Sequence, residues 1–132
     1  MKLHTYLNYG GNCEQAFRFY EQHLGGKITT MMTRDGQPGL KSSVQYARVD
    51  LGETALMGSD VPAEHHQPMR SAYLSLSVST PEEAERIYTL LSDGGQIFMP
   101  MEETFFASRF GMLRDKFGTS WMILHPKPQS TD

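Results

Sequence analysis

One cysteine, one tryptophan and no long apolar run set the first limits on this 132-residue chain. With Cys13 alone, no disulfide can form within the chain. A reducing compartment is the expected setting. No stretch approaches the ~20 apolar residues that a membrane-spanning helix needs. The start, Met1-Lys2-Leu3-His4-Thr5, has no apolar signal region, so the cytoplasm is expected rather than export. Positive charge is also scarce: 12 Lys and Arg stand against 15 Asp and Glu, a net charge of −3. Nucleic-acid binding normally needs a clustered basic patch, so neither nucleic acid nor membrane is an expected partner. No glycine-rich strand-to-helix turn of the nucleotide-binding kind is present. Gly10-Gly11 precedes a helix, but Asn12 accounts for that turn as the helix cap. No Ser/His/Asp or Cys/His relay can be assembled. Cys13 falls near a helix N-terminus, where a thiolate is favoured. It has no evident base partner and reads as a small packing residue.

Methionine and repetition are what the chain has in plenty. Nine methionines are many for this length; thioethers fill irregular gaps and adapt to varied apolar ligands. Glu14-Gln15-Ala16-Phe17-Arg18-Phe19-Tyr20, running on to Gly25-Gly26, returns as Glu82-Glu83-Ala84-Glu85-Arg86-Ile87-Tyr88, running on to Gly94-Gly95. Asp50-Leu51-Gly52 recurs loosely as Asp115-Lys116-Phe117-Gly118. Two copies mean a duplicated module, since a solenoid needs at least three repeats.

Both helices signal their ends. Thr80-Pro81-Glu82-Glu83 supplies an N-cap, a proline at the first helical position and a glutamate three after the cap. Asn12-Cys13-Glu14-Gln15 has the same arrangement, with Asn12 as cap. The paired glycines stop both helices. Before each helix lies an alternating stretch: Leu3, Thr5, Leu7 and Tyr9 oppose His4, Tyr6 and Asn8; Ala72, Leu74, Leu76 and Val78 oppose Tyr73, Ser75 and Ser77. Alternation marks a half-buried strand. Further strands are expected near 27–34, 43–50, 53–58, 96–101, 108–115 and 119–125, with a loop over Thr33 to Lys41. Each copy is therefore β-α-β-β-β in an α+β fold of curved mixed sheets. Module one spans 1–58, a linker 59–70, module two 71–126 and a frayed tail 127–132. The open sheet faces are partly polar, so a cleft between the modules is expected.

Tyr6-Leu7-Asn8-Tyr9, Cys13-Glu14-Gln15-Ala16, Leu56-Met57-Gly58-Ser59-Asp60 and Glu103-Thr104-Phe105-Phe106-Ala107, followed by Phe110-Gly111, Asp115-Lys116-Phe117-Gly118 and Trp121-Met122-Ile123, carry a resemblance over almost the whole chain. It resembles the vicinal oxygen chelate superfamily of glyoxalase I, extradiol dioxygenases and bleomycin-resistance proteins, and within it the PhnB-like branch. The resemblance implies paired β-α-β-β-β modules. In the superfamily's metal enzymes four ligands stand on first and last strands. The matching positions here are His4, Tyr73, Leu56 or Met57, and Met122. Thioether and leucine side chains do not suit a divalent metal, so no metal or other cofactor is expected. Some descriptions of this branch speak of a ubiquinone methyltransferase, which nothing in the residues supports.

A metal-independent small-molecule protein is the resulting expectation. Its alternatives are a metalloenzyme using His4 in a non-standard ligand set, and a sequestering protein of the bleomycin-resistance type. The ligand-binding candidates are Tyr6, Met57, Tyr73, Phe105, Phe106, Arg109 and Met122. Glu103 and His4 are the candidate catalytic residues. Glu103 would gain a raised pKa if buried against Phe105 or Phe106. His65 and His66 read as a solvated loop pair. Trp121 is expected under the helices and Met122 on the open face. A homodimer is expected, because strand edges and the apolar residues Met31, Val49 and Phe98 would stay partly exposed in a monomer.

Overall fold

In the computed structural model, residues 1–34 and 43–128 are described. Strand β1 (Thr5–Tyr9), helix α1 (Cys13–Leu24) and strands β2 (Lys27–Arg34), β3 (Ser43–Leu51) and β4 (Thr54–Asp60) make the first module. Strand β5 (Leu74–Ser77), helix α2 (Pro81–Ser92) and strands β6 (Gln96–Glu102), β7 (Ala107–Arg114) and β8 (Ser120–Pro126) make the second. A short 3-10 turn at Ala63–His65 lies between them. The chain divides into two compact units, Met1–Gln67 and Pro68–Asp132. The expected loop over 33–41 lies outside the described residues apart from Thr33 and Arg34, which belong to β2. The end of the expected tail, from 129 on, lies outside them too.

Each unit holds one four-stranded mixed sheet, in the orders β1-β4-β3-β2 and β5-β8-β7-β6. The first strand of each module pairs in parallel with the last, and the other neighbours are antiparallel. The fold is α+β, with a repeated module whose two sheets stay open. Alternation decides which side chains meet the helix. Leu7 and Tyr9 are buried, while Tyr6 and Asn8, alternating with them, are exposed. Leu74 and Leu76 are half-buried, and Ser75 and Ser77 are exposed.

Helix α1 buries Cys13, Ala16, Phe17 and Tyr20, one stripe at helical spacing. They pack over Val44, Ala47 and Val49, all buried on β3. Phe17 sits over Gly58, where a Cβ would stand 3.0 Å from its ring and 2.8 Å from the Leu7 carbonyl oxygen. In the second unit Ala84, Ile87 and Leu91 cover Leu113, Trp121 and Ile123. Val49, expected to stay partly exposed, is fully buried because its face of β3 is the one under α1. The exposed large apolar side chains include Tyr6, Met32, Ile97, Met99, Phe105 and Phe106.

The helix caps differ between the copies. Thr80 behaves as its sequence suggests: the Glu83 N–H donates to Thr80 Oγ1 at 3.1 Å. Asn12 does not, since its side chain makes no capping hydrogen bond. Asp60, at the end of β4 and 3% exposed, caps α1 instead. Its Oδ1 accepts from the N–H groups of Gly11 at 3.0 Å and Cys13 at 2.9 Å. Its Oδ2 accepts from the Val44 N–H at 2.9 Å. One carboxylate thereby ties the helix start to β3 and β4. At the other end Gly25 takes the left-handed conformation as the C-cap of α1. In the second helix Asp93 caps in extended conformation and Gly94 turns left-handed after it.

Asp115 is the second buried carboxylate tie. Its Oδ1 accepts from the N–H groups of Phe117 and Thr119, both at 3.0 Å, and its Oδ2 from Trp121 Nε1 at 2.9 Å. Asp50, its loose counterpart in the repeat, instead meets Arg48 at 2.8 Å.

Candidate functional site

Register arranges the open face of the second sheet in rows across the strands. Gln96, Arg114 and Ser120 form the first, continued on the β5 side by Tyr73. Met99, Met112, Met122 and Ser75 form the second. Glu102, Phe110, Leu124 and Ser77 form the third. The face thus grades from polar and cationic, through methionine, to aromatic. Phe106 extends the aromatic end, edge-on to Phe110 at 5.1 Å between ring centres. Trp121 lies on the helix side at 2% exposure, bonded to Asp115, and Met122 lies opposite.

At the cationic end Arg70 stacks over Phe98, its guanidinium carbon 4.0 Å from the ring centre. Arg114 approaches the same ring at 5.7 Å. Arg70 Nη1 donates to the Tyr73 hydroxyl at 2.7 Å. Arg114 Nη2 donates to Gln96 Oε1 at 3.2 Å and its Nη1 to the Met69 carbonyl at 3.3 Å. Sequence reading passed over this cluster. Its members are far apart in the chain, and Phe98 falls in the β6 irregularity between Ile97 and Met99, where simple alternation fails.

In the first module the row Thr30, Arg48, Met57 and Tyr6 crosses its sheet. Tyr6 stacks with Tyr46 at 6.3 Å and 25° between planes. The Ser59 hydroxyl donates to Asn8 Oδ1 at 3.2 Å. His4 precedes β1, is exposed, and borders a polar groove of about 300 Å³ with Arg48, Asp50 and Glu53.

Tyr73 and Met122 therefore share one open face, and Tyr6 and Met57 share the other. Phe106 joins the aromatic end of the second face, and Phe105 is 91% exposed beside it. Arg109 does not share that face. In step with Gly111 and Leu113 along β7, it points toward α2, where its Nε lies 3.0 Å from Glu85 Oε1. Glu103 lacks the burial that would make it a base. It is exposed, and its pKa is lowered, first by a hydrogen bond from Lys127 Nζ at 2.7 Å and then by the charges of Lys127 and Arg109. Cys13 is no nucleophile either: burial first, then the charges of Asp60 and Glu14, push its thiol up to about 12.

Ser108 Oγ and His125 Nδ1 lie 2.6 Å apart, a pairing that sequence reading missed. The same hydroxyl also reaches the His125 carbonyl at 3.3 Å, and the two residues flank the β7–β8 irregularity. The pair is a cross-strand tie at a bulge.

The residues at the metal positions do not fit a divalent ion. His4 is exposed outside the sheet, Leu56 is buried on the helix side, and Met57 and Met122 offer thioethers. The Tyr73 hydroxyl is engaged by Arg70. Among the described residues, no three His, Cys, Asp or Glu side chains gather as a metal site. The Gly10-Gly11 turn is closed as well. Asp60 takes the Gly11 N–H, and a Cβ on Gly10 would stand 3.2 Å from His66. Among the described residues no helix is long and apolar enough to cross a membrane.

Known proteins of similar sequence and fold add to this geometry. Protein YjdN of Escherichia coli is 30% identical, covering 99% of each chain. The structure of protein PA1353 from Pseudomonas aeruginosa is 37% identical, with a TM-score of 0.85 over 95% of this chain and 97% of that one. A PhnB protein from Bacillus cereus is 28% identical, with a TM-score of 0.86 over 95% of this chain and 99% of that one. Residues 1–124 match the family described as 3-demethylubiquinone-9 3-methyltransferase. The duplicated module, the sheet order and these matches together make the chain a member of that PhnB/YjdN family.

Proposed function

We propose that the protein binds a small organic molecule on the open sheet face of its second module, without the superfamily's metal. The row Met99, Met112, Met122 and Ser75, in register across all four strands, carries this reading. Thioethers are polarisable and adapt to varied apolar shapes. Phe106 extends the apolar surface over the buried Phe110, and Tyr73, Ser75 and Ser77 supply sparse polar contacts. Small-molecule sites are commonly furnished in that proportion. Binding is favoured over turnover because Glu103 is exposed and held ionised by Lys127. Methyl transfer, named in the family's description, is not part of the proposal, since Asp60 and His66 already close the Gly10-Gly11 turn. The protein works in the cytoplasm as a homodimer in this reading. The exposed Met32 and Ile97 on edge strands supply apolar surface for pairing.

A thermal-shift screen of organic compounds on chelator-treated protein tests the proposal. A ligand at a hundred times its Kd stabilises by about 2.7 kcal/mol, a rise of several degrees. Hits should keep their effect in chelator and lose it in Met122→Lys. Stabilisation that appears only on adding a divalent metal refutes the proposal.

A further inference from the structure

We infer that Arg70 and Arg114 form an oxyanion clamp on the open face of the second module, selecting an organic acid with an apolar body as the ligand. The inference rests on the proposed function and names the ligand's chemical class. Two guanidinium groups reach one ring, Phe98, at 4.0 and 5.7 Å. Both lie within the range of attraction to a ring face. Two like charges brought to one ring repel, and a ring offsets that only in part. Among the described residues neither arginine forms an ion pair. Of the five other arginines, four differ. Arg18, Arg48, Arg86 and Arg109 each meet a carboxylate. Arg48, on the open face of the first module, is neutralised by Asp50 at 2.8 Å.

The partners that Arg70 and Arg114 do have are neutral. Tyr73, Gln96 and the Met69 carbonyl take one N–H each. Each guanidinium carries five donors, so most stay available for an anion in the forked geometry that suits carboxylate and phosphate.

The segment that presents Arg70 is held in place. The Met69 N–H donates to the Gly118 carbonyl at 2.9 Å. The Met69 carbonyl accepts from Ser120 Oγ at 2.8 Å and from Arg114. Ser71, directly after Arg70, has φ of +65°, the one positive φ outside glycine among the described residues. A left-handed serine persists only where its surroundings over-determine it, and such positions gather at ligand sites. Here the turn carries the chain from the tether at Met69 toward β5 and leaves Arg70 over Phe98.

The same face sets the shape of the acid. From Arg114 to Phe110 is four residues of one strand, about 13 Å. An oxyanion at the arginines would lay its body over Met112 and Met122 toward Phe110. Carboxylates and phosphate esters share this chemistry.

Titration of isotope-labelled full-length protein, followed by NMR, tests the clamp with three probes: benzoate, phenyl phosphate and the neutral benzamide. Benzoate, phenyl phosphate or both should give saturable shifts at Arg70, Arg114, Phe98 and Tyr73, with benzamide silent there. The stronger of the two anions names the headgroup. Arg70→Gln, at an exposed side chain that does not hold the fold, should weaken anion binding by about tenfold or more. Arg114→Gln should do the same, and added salt should weaken binding further. Benzamide matching the anions, unchanged affinity in Arg70→Gln, or no saturable shift at the two arginines overturns the inference. A neutral ligand seated on Met112 and Met122 would overturn the clamp and leave the proposed function standing. Anions bound at the arginines by probes that never perturb the methionines would keep the clamp and remove the broader methionine-face reading.

Discussion

Replacing Asp60 by alanine should cost far more than replacing the residue that sequence marks as the helix cap. Asp60 is 3% exposed and accepts three backbone N–H groups, from Gly11, Cys13 and Val44. Alanine leaves all three donors without that acceptor. Each buried unsatisfied donor costs about 1–3 kcal/mol. The sum is less than additive, because Gly11 lies at the surface and can take water. A loss of about 3–5 kcal/mol follows. For a domain of this size each kcal/mol moves Tm by about 2–6 °C, so a fall on the order of 10–20 °C is expected. Asp60→Asn should lose somewhat less, since its amide oxygen still serves two donors while its NH2 faces the Val44 N–H. Asn12→Ala should stay within about 0.5 kcal/mol, because that side chain makes no capping bond. Urea unfolding of the three variants, with the slope m compared, reads these differences as stability rather than altered unfolded chain. Asp60→Ala within about 1 kcal/mol of the parent, or Asn12→Ala costing more than Asp60→Ala, would refute the reasoning.

Three further outcomes follow from the same structure. Asp115→Ala should destabilise by about 2–4 kcal/mol, since it frees the Phe117 and Thr119 N–H groups and the Trp121 indole; a urea midpoint near the parent's contradicts this. The Cys13 thiol, pushed up to about 12, should resist alkylation in the native protein at mildly alkaline pH and react fully once unfolded; rapid native labelling would show the thiolate to be accessible. Sedimentation at micromolar concentration should report twice the 14.9 kDa chain mass for the proposed homodimer; a clean monomer removes it.

The repeat, both helices and all eight strands were legible because their signals are local. Caps, glycine stops and alternation act over a few residues, and the Pro81 helix start and the Gly25 stop stand where the pattern put them. Long-range substitution was not legible. Asp60 supplies the cap that Asn12 seemed to offer, from 48 positions further along the chain, and no local pattern announces it. The site was harder still. Tyr73 and Met122 could be placed on one face by alternation; Arg109 was grouped with its aromatic neighbours, although it falls in step with Gly111 and Leu113 on the helix face. Arg70, Phe98 and Arg114 meet only after a left-handed turn at Ser71 and an irregularity in β6 are in place. Val49 was misjudged for a simpler reason: a lone valine does not reveal which face of its sheet the helix covers.

The most direct test is NMR of the methionine methyl groups in chelator-treated protein, titrated with hits from the ligand screen. The account predicts that binders shift the Met112 and Met122 methyls together, with no divalent metal added. Ligands that leave both methyls unmoved, or that bind only after metal is restored, would contradict it.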